Sequence, residues 1–136
     1  MQKLINLFIA ILFSTMFFTL SQAQTKTSNE KIFIYYFHAT NRCPSCLAVE
    51  NAAKEMLNEN FKSKIDNGTI KFESFNIDDK ANKALVEKYQ IGFSTLLIIK
   101  ADGTKTDFTN TAFQYAKSNP TKYKELLKAK IIEMMQ

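Results

Sequence analysis

The sequence predicts an α/β domain with a four-stranded mixed sheet flanked by helices, a strand–helix–strand unit followed by a strand–strand–helix unit. Three observations predict it. Residues 32–37 (Ile-Phe-Ile-Tyr-Tyr-Phe) and 95–99 (Thr-Leu-Leu-Ile-Ile) are short, continuous β-branched and aromatic runs, as in strands covered on both faces. Between the first run and the next strand, apolar residues recur at Cys46, Val49, Ala53, Met56, Leu57 and Phe61, which is helical spacing. Ala101-Asp102-Gly103 then supplies a tight hairpin turn. A helix between two strands forces a parallel pair through a right-handed crossover, whereas the hairpin forces an antiparallel one.

Each element has local reasons. The first strand, 32–37, is followed by a loop at 39–42. Pro44 opens the first helix, where a missing N–H costs nothing. Asn67-Gly68 ends it and turns the chain. Residues 70–77 form a second strand whose alternation changes phase between Phe72 and Phe75, which predicts a bulge. Asp78 is the expected N-cap of a short helix over 79–89, with Ala81, Leu85 and Tyr89 facing inward. After the strand at 95–99 and the turn, 104–109 reads as an amphipathic edge strand and 111–116 as a helical turn. Asn119 caps a last helix with Pro120 at its first position and an inward face of Tyr123, Leu127, Ile131 and Met134.

The N-terminus belongs to a different kind of segment. Lys3 precedes an apolar run over residues 4–20, and Ser21-Gln22-Ala23 places small residues where a signal peptidase reads them. The three together predict an export signal, 1–23, cleaved after Ala23. The alternative is an N-terminal membrane anchor, but the run is a little short of the ~20 apolar residues that span a bilayer and contains polar ones. Residues 24–31 form a loose polar lead-in, and 32–136 the folded domain. The chain carries a net charge of +5, almost all of it lysine scattered among Glu and Asp. With no basic block and no aromatic–Arg interleaving, this reads as a solvated surface and not a nucleic-acid interface. A monomer is expected.

Both cysteines of the chain lie in Cys43-Pro44-Ser45-Cys46. A disulfide here closes almost no loop, so it gains little from restricting the unfolded chain. Chemistry explains the pair better than stapling does. Cys43 falls where a strand ends and a helix begins, among free N–H groups and a partial positive charge. Such a setting lowers a thiol pKa from ~8.5 into roughly the 3.5–7.5 range, and Arg42 adds a positive charge. Cys46 lies one turn on, on the face of Val49 and Ala53. Cys43 is therefore the expected nucleophile and Cys46 the resolving residue. A structural zinc site needs about four protein ligands. Besides the two cysteines only His38 offers a soft or nitrogen donor, and it reads better as a polar residue at a strand end than as a ligand or base.

The strand leading into Cys43-Pro44-Ser45-Cys46 at a helix start, and Ser94-Thr95-Leu96-Leu97-Ile98-Ile99 before Asp102-Gly103, resemble the thioredoxin-like superfamily. The resemblance spans about residues 32–135. Pro44 in the second slot of the motif is closer to glutaredoxins and periplasmic disulfide-forming oxidases than to thioredoxin. The likeness implies that Ser94 and Thr95 face the two sulfurs, and that the chain belongs with small exported bacterial redox proteins. Three departures stand out. Arg42 replaces the usual Trp, Phe37 stands near the place of the family's buried Asp, and Ser94 takes the slot of its cis-proline. A cis bond before a residue other than proline costs roughly 2.5–4 kcal/mol, so the Phe93–Ser94 bond is expected to be trans, with the Ser94 hydroxyl near the sulfurs and directed toward Cys43.

The function these residues predict is an exported thiol–disulfide oxidoreductase. Cys43 and Cys46 are its catalytic residues, and Arg42, Pro44, Ser94 and Thr95 are auxiliary. Its partners are protein thiols or disulfides and a membrane electron donor, and it needs no cofactor or resident metal. Reduction is favoured over oxidation, because the domain carries no added substrate-binding lobe. The alternative is a metal-binding or adaptor module using the same two cysteines. The export signal yields the first prediction: intact-mass analysis of exported protein should find a chain beginning at Gln24, whereas one beginning at Met1 would mean a retained anchor.

Overall fold

The computed structural model describes residues 31–136; the expected export signal, 1–23, and most of the expected lead-in, 24–31, lie outside the described residues. β1 (Ile32–His38) is followed by α1 (Pro44–Asp66) and β2 (Ile70–Asn76). A 3₁₀ turn (Lys80–Asn82) leads into α2 (Lys83–Tyr89). β3 (Thr95–Lys100), β4 (Lys105–Asp107), α3 (Thr109–Tyr115) and α4 (Pro120–Met134) complete the domain. The sheet order is β2-β1-β3-β4. β1 pairs parallel with β2 and antiparallel with β3, and β3 pairs antiparallel with β4. This is the predicted α/β class, a four-stranded mixed sheet in a thioredoxin-like arrangement. Among the described residues no helix is long and apolar enough to cross a membrane.

The period of a strand explains why β1 is apolar throughout. Ile32, Ile34 and Tyr36 point to the face covered by α1, α3 and α4, where they meet Val49, Ala53, Met56 and Leu57 of α1 and Tyr123, Leu127 and Ile131 of α4. Phe33, Tyr35 and Phe37 point to the opposite face, against Phe75 and against Leu85, Val86 and Tyr89 of α2. β3 divides in the same way, with Leu96 and Ile98 on one side and Leu97 and Ile99 on the other. β1 is thus held along both edges and on both faces.

Four local expectations are corrected. β2 has no bulge, because its register with β1 runs unbroken from Ile32 opposite Ile70 to His38 opposite Asn76. The change of phase has another cause: Ile70 and Phe72 pack on the α1 side, whereas Phe75 packs on the α2 side. Asp78 is not the cap. Asp79 accepts the Ala81 N–H (2.9 Å) at the 3₁₀ turn, and the Asp78 carboxylate instead accepts the Thr40 N–H (2.8 Å). The helix therefore starts at Lys83, Ala81 is exposed, and Val86 joins Leu85 and Tyr89 in packing on the sheet. β4 stops at Asp107, whose carboxylate accepts the Thr109 N–H (2.9 Å) and turns the chain into α3 two residues earlier than expected.

Other termini follow the sequence. Asn67 closes α1, and Gly68 follows with φ of 75°, a conformation that glycine adopts without strain. The Asn119 side chain accepts the Lys122 N–H (3.1 Å) to cap α4. α4 is anchored by its buried stripe and by the Tyr123 hydroxyl, which donates to the Val49 carbonyl of α1 (3.2 Å). Leu127→Ala should therefore lower stability by about 2–5 kcal/mol in urea unfolding, through lost burial and a cavity. Asn119→Ala, which removes only the cap, should cost about 1 kcal/mol.

Candidate functional site

β1 and β3 both approach one end of the sheet, and that end carries the cysteines. β1 finishes at His38, and a five-residue loop brings the chain to the start of α1. Cys43 is the N-cap residue, in extended conformation, with Pro44 in the first turn. A helix start leaves N–H groups without intrahelical acceptors. Here one is answered by sulfur: the Cys46 amide donates to Cys43 Sγ at 3.1 Å. A sulfur capping a helix in this way sits at the positive end of the helix dipole, which favours negative charge on it.

Cys43 and Cys46 form a disulfide, with Cα atoms 5.1 Å apart. The two half-cystines differ in access. Cys43 is exposed, whereas Cys46 is 8 % exposed and its carbonyl accepts a bond from the buried Tyr36 hydroxyl (3.0 Å). Ser94 closes the other side. No peptide bond among the described residues is cis, Phe93–Ser94 included. The Ser94 hydroxyl lies 4.0 Å from Cys46 Sγ, so the sulfur it contacts is that of Cys46, where the sequence pointed to Cys43. Thr95 is buried. Its hydroxyl donates to the Phe93 carbonyl (2.9 Å), and its backbone lies opposite Phe37 in the sheet. The structure thus places Pro44 and Cys46 beside the exposed Cys43, and Ser94 against the Cys46 sulfur, with the buried Thr95 next to it in β3.

Arg42 is placed differently from a simple neighbouring cation. Its guanidinium forms an ion pair with Glu50 and stacks over the Tyr36 ring, 5.7 Å from the centroid. Glu50 is 6 % exposed, and its second oxygen takes the Lys54 ammonium at 2.7 Å. Burial alone would raise the Glu50 pKa, but Lys54 and Arg42 outweigh it and hold the carboxyl below its ordinary value. Burial raises the Tyr36 phenol above its ordinary value, and the adjacent Arg42 tempers the rise. His38 adjoins this cluster, its ring centroid 6.0 Å from that of Tyr36, with Nδ1 at 3.0 Å from the Ala39 carbonyl. Among the described residues no group of three or more His, Cys, Asp or Glu side chains is placed to hold a metal ion.

Sequence reasoning missed Glu50 and Tyr36. The signal for Glu50 was available: a carboxylate at i+4 from Cys46 stands in the stripe of Val49 and Ala53, and a charge on a buried stripe needs a partner. Tyr36 carried no such signal, because a tyrosine in a buried strand reads as core until the atom its hydroxyl reaches is known.

Two surface features complete the site. Leu47 and Phe93 are exposed large apolar side chains, 43 % and 67 % accessible, and they are chain neighbours of Cys46 and Ser94. Beside them a shallow groove of about 410 Å³ is lined by Phe93, Ser94, Thr109, Asn110 and Phe113, none of them charged.

No family model matches the chain, and no curated protein matches it. Among solved structures, one described as a malarial protein is similar over 58 % of this chain and 82 % of its own, at 17 % identity and a TM-score of 0.43.

The capped sulfur makes an asymmetric pair. In the single-cysteine variants Cys46→Ser and Cys43→Ser, alkylation rates followed against pH should give Cys43 the lower pKa and the faster reaction at neutral pH. A faster Cys46 would refute the assignment of roles.

Proposed function

We propose that this chain is an exported thiol–disulfide oxidoreductase acting on protein substrates, with reduction as its working direction. The observation that carries the reading is that the exposed residue Cys43 caps a helix with its sulfur beside a sheltered Cys46. In the reducing direction the Cys43 thiolate attacks a client disulfide, forming a mixed disulfide and releasing one client thiolate, which takes a proton. Cys46 then attacks Cys43 Sγ, releasing the second client sulfur and restoring the Cys43–Cys46 disulfide. Two electrons pass from the dithiol to the client, and a membrane electron donor outside the domain returns the pair to the dithiol.

The surroundings suit a polypeptide client. Thiol–disulfide exchange brings the client's sulfur onto Cys43, so its flanking residues lie over Leu47, Phe93 and the uncharged groove. The Cys46 sulfur needs shelter from other oxidants until the mixed disulfide forms, and the burial of Cys46, with the Ser94 hydroxyl 4.0 Å from its sulfur, supplies it. The metal-module alternative uses the same two sulfurs, and the same purified protein tests both.

The test is turnover of a small disulfide-bonded protein with dithiothreitol as electron source, alongside metal content measured after purification without chelator. Wild type should turn over and Cys43→Ser should fall to background. Cys46→Ser should accumulate a mixed disulfide that is visible by intact mass. Phe93→Ser should weaken client binding by roughly 1–2 kcal/mol of lost apolar contact, about tenfold in KM. It should leave the reaction with dithiothreitol itself unchanged. Stoichiometric copper or zinc with no turnover would replace this reading with the metal module.

A further inference from the structure

The chemistry above uses the helix N-terminus and the two sulfurs, and it leaves the ion pair of Arg42 and Glu50 without a role. Burying such a pair is a poor way to gain stability, because desolvation offsets the attraction. This pair also joins unlike places: Arg42 immediately precedes the exposed sulfur, whereas Glu50 lies seven residues along α1 from it. At the rise of an α-helix that separation is about 10 Å. It is close to the distance over which about 0.1 M salt screens a charge.

We propose that Glu50 is a positioning residue for Arg42: it draws the guanidinium back along α1, keeps the cation off the Cys43 sulfur, and so makes the Cys43–Cys46 disulfide a weaker oxidant than Arg42 would otherwise make it. Three observations carry this. The guanidinium is fixed by Glu50 on one side and the Tyr36 ring on the other. Glu50 is itself fixed by Lys54, which lies over the Phe72 ring at 5.7 Å. The Arg42 Nε is buried without a hydrogen-bond acceptor among the described residues, so the carboxylate and the ring are what hold the side chain in place. A cation beside Cys43 would stabilise the thiolate, hence the dithiol, hence the oxidising power of the disulfide. Holding it against Glu50 and the Tyr36 ring reduces that contribution.

The inference rests on the redox reading of the site, but its test reads the cysteine pair alone. A protein inactive on client proteins would still answer it. The full chain is equilibrated with glutathione. Two glutathione thiols give two electrons to the Cys43–Cys46 disulfide, whose S–S bond breaks as that of glutathione disulfide forms. The thiol hydrogens pass to the protein, and Cys43 releases its proton to water as the thiolate forms. The equilibrium constant is measured for wild type, Glu50→Gln, Arg42→Gln and the double variant, with circular dichroism to check folding.

Glu50→Gln frees Arg42 and should shift the equilibrium toward the dithiol by about twofold to tenfold at low salt, the effect of a unit charge several ångströms away under water-like screening. The shift should vanish when Arg42 is also Gln. Arg42→Gln alone should move the equilibrium less than twofold, and it leaves Glu50 paired with Lys54. A Glu50→Gln shift of equal size in both backgrounds would show that the carboxylate acts through its own charge and would overturn the proposal. So would no shift at all. If Glu50→Gln does not fold, Arg42→Gln decides: a shift of about tenfold toward the disulfide would place the cation at the sulfur already and overturn it.

Discussion

Everything at the sulfur end of this domain depends on β1 being held on four sides. It is the one strand with a parallel neighbour on one edge and an antiparallel neighbour on the other. Its side chains alternate between two separate apolar clusters. A strand in that position cannot slip by one residue without exchanging every buried side chain for its opposite. The end of β1 is therefore a fixed point, and the short loop after it delivers Cys43 to the start of α1 within narrow limits. The capping bond from the Cys46 amide to the Cys43 sulfur follows from that delivery.

A second consequence of the same strand is chemical. Tyr36 belongs to β1 and is wholly buried, yet its hydroxyl reaches the Cys46 carbonyl and its ring carries the Arg42 guanidinium. One side chain thus ties the sheet to Cys46 and to the ion pair. The family resemblance places a buried acid near Phe37, but Phe37 packs on the α2 face, away from the cysteine side of the sheet. The buried acid among the described residues is Glu50, on α1, and two cations engage it.

The layout of the sheet was legible from two kinds of signal, continuous apolar runs and turn residues. Both are local and strong: 32–37 and 95–99 have no polar face, and Asp102-Gly103 closes the hairpin with Asp102 accepting the Thr104 N–H (2.8 Å). The short connections were less legible, because neighbouring polar residues compete for the same capping role. Asp78 and Asp79 are adjacent and chemically equivalent, and only the position of Thr40, far away in sequence, decides which of them caps. At the site, the cysteines and Pro44 could be read from motif and spacing, and the nearness of Ser94 to a sulfur only from the resemblance, which pointed it to Cys43 where it meets Cys46. The partner of Arg42 could not be read that way, because an arginine beside a sulfur and an arginine folded back onto a carboxylate share one sequence.

The two outer strands of the sheet, β2 and β4, have a bearing on how the protein meets its neighbours. Their outer edges, unpaired among the described residues, carry backbone groups that could extend the sheet into another molecule. β2 sets Lys71 and Glu73 along its length, paired with each other at 3.0 Å, and β4 is three residues long with Lys105 and Asp107 exposed. Charge on one edge and brevity on the other discourage strand-by-strand self-association. Under the proposed function, in which polypeptide clients are met at the cysteine end, inert sides are an advantage, since an extended chain that met the sheet edge first would add to it and lead toward aggregates. The borders of the sheet thus act as a colloidal safeguard, and contact is left to the end where Cys43 is exposed.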